Sequence, residues 1–245
     1  MMMETVRILL AAALIPPIVL MVIIYREDKV EREPVSMIIR LLIFGGFMTI
    51  AAALIEGIAL SAVQSVLNVH TITYRLVENF ICVALVEEGV KYFALRKGSW
   101  NSPDFNYRFD GIVYAVAVSL GFAAVENVGY VFSYGLANAA VRAVTSIPGH
   151  CIFGIFMGIN YSFAKAAANR GLRGKLRYHS LMALIVPMCL HGFYDFTASS
   201  SSGEYVLVFF IFVIALDVIA VRRVHRMEKY DESLYDPDAI NPPGV

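Results

Sequence analysis

Apolar runs of near-membrane-spanning length recur along this chain, and short polar segments close them off. A helix needs about 20 mostly apolar residues to cross a hydrocarbon core about 30 Å thick. Inside lipid every backbone N–H and C=O must be bonded within the protein, which leaves helices or closed barrels as the spanning structures. Runs this long, without period-two alternation, predict helices. Of the 245 residues 58% are hydrophobic and only 16% charged, whereas soluble domains carry roughly 25% charged residues. The sequence therefore predicts an all-α, polytopic integral membrane protein of about seven transmembrane helices, near residues 6–25, 36–60, 76–95, 109–133, 138–164, 180–199 and 205–221. We read residues 1–221 as one membrane domain and residues 222–245 as a polar cytoplasmic tail.

Lysine and arginine collect in short cytoplasmic loops. Here they fall after the first, third and fifth runs and in the tail, for example Arg26, Lys29, Arg96, Lys97, Arg170, Arg173, Arg222 and Arg223. The N-terminus is therefore expected outside and the C-terminus in the cytoplasm. Twenty basic residues balance twenty acidic ones, so no global basic field points to nucleic acid as a partner. The lipid bilayer is the expected surrounding. Cys82, Cys151 and Cys189 all lie within apolar runs and predict no disulfide framework.

Some residues in these runs do not belong in lipid. A charge at the bilayer centre costs on the order of 2.5–3.5 kcal/mol on insertion scales, so ionisable groups there need partners or water. The third run carries Glu87, Glu88 and Lys91, the fourth Glu126, the fifth Arg142 and His150, the sixth His191 and Asp195. Positions four apart share a helix face, so Glu87 with Lys91 and His191 with Asp195 project together. With the expected topology and a rise of about 1.5 Å per residue, Glu87, Glu126, His150 and His191 lie roughly 10–18 Å below the outer surface. Four helices thus bring a carboxylate or imidazole to a common layer.

Hydrolysis of a peptide bond in that layer needs a base to take a proton from water, a group to stabilise the oxyanion and an acid for the leaving amine. Glu87 or Glu88 is the expected base, with Lys91 limiting the charge of the pair. His150 and His191 would either polarise the carbonyl or bind metal. Two histidines and a carboxylate, here His150, His191 and Glu126, form a zinc ligand set with an open position for water.

The motifs resemble those of the PrsW family of intramembrane proteases, within the broader group that includes the CAAX prenyl endopeptidases. The family's E-E-x-x-K appears as Glu87-Glu88-Gly89-Val90-Lys91, its F-x-x-x-E as Phe122 to Glu126, and its H-x-x-x-D as His191 to Asp195, with Pro148-Gly149-His150 between the last two. The resemblance covers about residues 76–198. It implies cleavage of a single-pass membrane protein, typically an anti-sigma factor, on the outer side of the bacterial cytoplasmic (inner) membrane. A CAAX enzyme would be expected to carry E-E-x-x-x-R and F-x-x-x-H; Lys91 and Glu126 depart from both.

Blander readings compete. The ionisable set could be a mutually satisfied network that fixes helix packing. Lys91 could only neutralise the glutamates, and Asp195, which could orient His191 or act as a ligand, could instead have a capping or interfacial role near the outer end. Arg142 could snorkel to the surface or contact substrate; Asn127 could donate to an oxyanion or make a helix-to-helix hydrogen bond, and Glu56, without an assigned role, could lie near a membrane surface or face the cavity. Cys151 and Cys189 are expected to be packing residues, because Cys189 and His191, two apart, face different sides of a helix. Gly154 and Gly158 predict close helix packing. The competing functional class is a proton- or cation-coupled transporter, which also uses buried carboxylates and histidines.

Overall fold

The structure, a computed structural model, describes residues 2–200 and 202–235. Among these it is built of helices: α1 Met2–Glu27, α2 Val35–Gln64, α3 Ile72–Leu76, a π-helical segment Val77–Ala84, α4 Leu85–Ser99, α5 Asp110–Val144, α6 Ser146–Asn169, α7 Arg173–Ala198 and α8 Gly203–Lys229. The α3, π-helical and α4 stretches run on without a break as one rod. Thr71 caps that rod, its hydroxyl accepting from the Tyr74 amide at 3.2 Å, which satisfies one of the N–H groups orphaned at a helix start.

Five segments are long and apolar enough to cross a membrane: Met3–Glu27, Val35–Gln64, Asp110–Asn169, Arg173–Ala198 and Gly203–Lys229. The third of these holds both α5 and α6. The expected third span falls outside the set. Glu87, Glu88, Lys91, Arg96 and Lys97 lie within α4 and pull its mean hydropathy down. Residues such as Phe47, Ile50 and Leu54 of α2 and Ile211 and Ile214 of α8 stand exposed on the outer faces, where lipid covers them. The chain is a multi-pass integral membrane protein.

α5 is the centre of the bundle. Every residue from Asp110 to Ala123 is buried, on all sides of the helix, and an apolar run of this kind requires neighbours all round. Glycines set how close those neighbours come. A Cβ on Gly121 would fall onto the Leu42 carbonyl oxygen and lie 2.8 Å from the Leu42 Cα. Gly45 of α2 meets the Val118 backbone of α5 in the same way. On the opposite side, a Cβ on Gly158 would lie 2.5 Å from Ile112 Cα, and one on Gly154 would lie 3.1 Å from Val116 Cα. The spacing read as close packing thus seats α6 on α5. Because the obstacle at Gly121 is backbone, no side-chain rotation relieves it. Gly121→Val is expected to destabilise the bundle by about 1–3 kcal/mol or more, seen as a lower unfolding temperature in detergent than for Gly129→Val, whose Cβ meets nothing within 4 Å.

Two features differ from the sequence reading. The fourth run does not end near residue 133. Helical structure continues to Val144, interrupted at Gly135 (φ 79°, ψ −171°), a conformation that suits glycine. The first part of the expected polar tail, residues 222–229, is helical, because α8 continues to Lys229. Beyond it, Leu234 is fully buried, and its amide donates to the Asn106 carbonyl at 2.7 Å. The remainder of the predicted tail, residues 236–245, lies outside the described residues.

Candidate active site

α4 opens the site. Its first turn carries Glu87 and Glu88, and Lys91 follows one turn on. The Lys91 ammonium, fully buried, donates to Glu87 Oε2 at 2.9 Å and to Glu88 Oε1 at 2.8 Å, and lies 3.1 Å from His150 Nδ1. It also stands 4.2 Å from the centre of the Phe122 ring, a cation over a π face. An ammonium only donates, so His150 accepts at Nδ1 and carries its proton on Nε2. That nitrogen faces Glu126 Oε2 at 3.1 Å.

His150 sits in the first turns of α6, just after Pro148. Proline is tolerated at a helix start, where its missing N–H would have no partner. His191 comes from α7. Its Nδ1 is 3.0 Å from Glu88 Oε1 and 4.0 Å from Glu87 Oε2, and its Nε2 is 3.2 Å from Asp195 Oδ2. Phe153 stacks on its ring at 4.9 Å, and the two imidazole centres are 5.4 Å apart. With carboxylates on both nitrogens, His191 is held in one ring orientation and donates on both sides when it is an imidazolium.

The structure therefore brings Glu87, Glu88, Lys91, Glu126, His150, His191 and Asp195 into one bonded chain. Five of them, Glu87, Glu126, His150, His191 and Asp195, line a cavity of about 560 Å³. Its wall also includes Glu56, Asn79, Tyr130, Arg142 and Tyr194. Glu56, unassigned by sequence, thus belongs to the cavity, and its Oε1 is buried without a hydrogen-bond partner.

Arg142 was expected a few residues inside the fifth span. Instead it lies before α6, and its guanidinium donates to Glu126 Oε2 at 2.7 Å and to Asn127 Oδ1 at 2.8 Å. A straight helix would hold residues 126 and 142 about 24 Å apart. The break at Gly135 folds the chain back and closes that distance. Of its two readings Asn127 takes the helix-to-helix bond, donating to the Ala13 carbonyl at 3.0 Å. The cysteines take no part. Cys151 is buried, whereas Cys189 is exposed on the outside of the bundle, which corrects the expectation of buried packing there. Two residues from His191, it faces away from the site.

One group in the site can hold a metal ion. Glu87, Glu88 and His191 each offer an atom lying within 4.8 Å of those of the other two. Glu88 Oε2 is buried and has no hydrogen-bond partner. Asp195 on the far nitrogen of His191 is the kind of partner that fixes metal-ligating imidazoles. Two carboxylates and an imidazole therefore fit a divalent ion. The trio His150, His191 and Glu126 is not among the groups that meet this distance condition for the described residues. In the structure His150 is held by Glu126, and His191 by Glu88 and Asp195.

A helical membrane protein that collects acids, imidazoles and a lysine around a buried polar cavity has the constitution of an intramembrane hydrolase. The sequence model of the family described as "PrsW family intramembrane metalloprotease" matches residues 33–219. The chain belongs to that family. It is 34% identical to Protease PrsW of Oceanobacillus iheyensis over 89% of this chain and 95% of the relative. It is 33% identical to Protease PrsW of Clostridioides difficile over 89% of each chain. With that of Bacillus subtilis it shares 31% identity over 84% of this chain and 90% of the relative. No solved structure matches. The family is one of peptidases acting within membranes on protein substrates, and the membership does not favour a transporter.

Proposed function

We propose that this protein is an endopeptidase that hydrolyses a peptide bond of a membrane-anchored protein at the Glu88 cavity. The observation that carries the reading is Glu88 itself. Its Oε1 is held by Lys91 and His191, while Oε2 is buried with no partner, on the residue next to Glu87 of the cavity wall. An uncompensated carboxylate oxygen is costly unless something occupies its lone pairs. A water molecule or a metal ion would do so.

The residues divide the work. Glu88, with Glu87 beside it, takes the proton from the attacking water as the C–O bond forms. Lys91 balances the charge of both carboxylates and holds them in place. The proton that Glu88 takes then passes to the departing amine as the C–N bond breaks, while His150, its Nε2 proton held toward Glu126, stays neutral and keeps that carboxylate in place. Arg142 fixes Glu126 and lends positive charge to the cavity wall, and Asp195 orients His191. Glu87, Glu88 and His191 would hold a divalent ion such as Zn²⁺, and when bound it supplies Lewis-acid activation of water and carbonyl.

The finer reading is a seven-span protein of the cytoplasmic membrane, N-terminus outside, as the distribution of lysine and arginine supports. The resemblance supports site-1 cleavage of a single-pass substrate such as an anti-sigma factor. The test is co-reconstitution in liposomes with a single-pass protein of that type, with the cut mapped by mass spectrometry. Cleavage at its outer juxtamembrane side is expected, and a cut on the cytoplasmic side would overturn the orientation. Treatment with 1,10-phenanthroline is expected to stop the reaction and added Zn²⁺ to restore it. Unchanged cleavage in metal-depleted enzyme would remove the metal from the reading.

A further inference from the structure

A second group of buried acids lies at the other end of the bundle. Asp28 follows α1, Glu33 precedes α2, and Asp110 begins α5. Asp110 is sixteen residues from Glu126 along α5, or about 24 Å of helix, so this group is separate from the Glu88 cavity. The three side chains are buried, at 1%, 3% and 0% exposure, and each offers an oxygen within 4.8 Å of those of the other two.

Their oxygens are poorly satisfied. Glu33 takes the hydroxyl of Tyr114. Asp110 Oδ2 accepts from the amides of Asn106 at 2.8 Å and Tyr107 at 2.6 Å, while its Oδ1 has no N–H or hydroxyl partner and the Asp110 carboxyl meets only the Glu33 carboxyl besides. Neither oxygen of Asp28 has a hydrogen-bond partner. Among the described residues no lysine or arginine forms an ion pair with any of the three. Lys29 turns to Glu27 and Glu228, and Arg108 to Glu232. Burial pushes the Asp28 carboxyl up to about 6. The amides of Glu33 and Glu31, outside hydrogen-bonding geometry, oppose this together with the charge of Arg32. Burial likewise pushes Glu33 up to about 7. At pH 7.5 Asp28 and Glu33 therefore carry negative charge, and buried charge without a cation beside it is destabilising.

We propose that Asp28, Glu33 and Asp110 bind a hard divalent cation, Ca²⁺ or Mg²⁺, which ties the α1–α2 connection to the start of α5. The donors are oxygen throughout, without the imidazole or thiolate that would select zinc. The unpartnered oxygens of Asp28 and Asp110 are the ones left to face the ion. The C-terminal segment docks beside them, with the Phe109 amide donating to Asp231 Oδ1 at 2.9 Å, so the cation steadies that contact as well.

The experiment takes the full chain, purified in detergent and stripped of metal, and titrates it with Ca²⁺ or Mg²⁺ while following Tm. His191→Ala is run in parallel, since it breaks the other carboxylate–imidazole group. A saturable rise of about 5–10 °C at a hundredfold excess over Kd is expected in both proteins for at least one ion. Asp28→Asn should abolish the rise and, without cation, unfold at a higher temperature than wild type, because it removes an uncompensated charge. A variant that merely damaged the fold would do the opposite. Tb³⁺ emission excited through tyrosine gives a direct readout, since Tyr114 bonds to Glu33; it should appear in wild type and disappear in Asp28→Asn. A wild-type Tm indifferent to both ions, loss of the rise in His191→Ala, or a rise and emission that survive in Asp28→Asn would each overturn the site.

Discussion

Glu88→Gln is expected to lower cleavage of a co-expressed membrane-anchored substrate by about 10²–10⁴-fold, the range that loss of a positioned proton-transfer group produces. The amide keeps the shape of the side chain and its contacts with Lys91 and His191 but cannot accept the proton from water. His191→Ala should reach a similar loss by a different route, since it removes the group bonded to both Glu88 and Asp195. Both variants should still insert and accumulate, because α7 and the α4 rod retain their packing. Wild-type cleavage by both would remove the catalytic assignment. Accumulation with no cleavage would separate it from the blander reading, in which these groups only fix helix packing.

Lys91→Met carries the second large effect, this time on the fold. The ammonium is the cation that both Glu87 and Glu88 touch, at full burial. Removing one partner of a buried ion pair costs roughly 3–5 kcal/mol, because it leaves the other uncompensated. For a chain of this size the expected fall in Tm is on the order of 10 °C. The double variant Glu87→Gln with Lys91→Met removes one negative charge together with the positive one, and should unfold at a higher temperature than Lys91→Met alone. A Lys91→Met protein as stable as wild type would mean that the two glutamates are compensated by something other than the lysine.

The helices were legible because the cost of exposing backbone to lipid leaves an apolar run few alternatives. The seven polar positions were legible for the converse reason: Glu88 or His191 inside such a run is too costly to be incidental. What the sequence does not carry is the rotation of each helix about its axis. That rotation decides that His150 meets Glu126 and Lys91, and that His191 meets Glu88. Read from spacing alone, His150, His191 and Glu126 looked like one ligand trio; the structure instead gathers Glu87, Glu88 and His191. Arg142 was hidden by Gly135, whose positive φ folds residues 136–144 back toward Glu126. A lone glycine in an apolar run gives no sign of such a reversal. Glu56 escaped assignment because α2 carries no motif, yet it shares the cavity wall.

The π-helical turns at Val77–Ala84 bear on how the protein tolerates change. Arg75 ahead of them donates to the Phe196 carbonyl of α7 at 2.8 Å, and Glu88 beyond them meets His191 of the same helix. Thirteen steps at about 100° would leave those two residues on nearly opposite sides of a regular α-helix. Wider turns rotate less per residue and bring both round to α7. The stretch thus acts as a vernier between the Arg75 anchor on α7 and the glutamates, so the chain's length there matters more than its composition. Swapping one apolar side chain for another should pass almost unnoticed, while losing a single residue would dial the glutamates out of reach of their histidine.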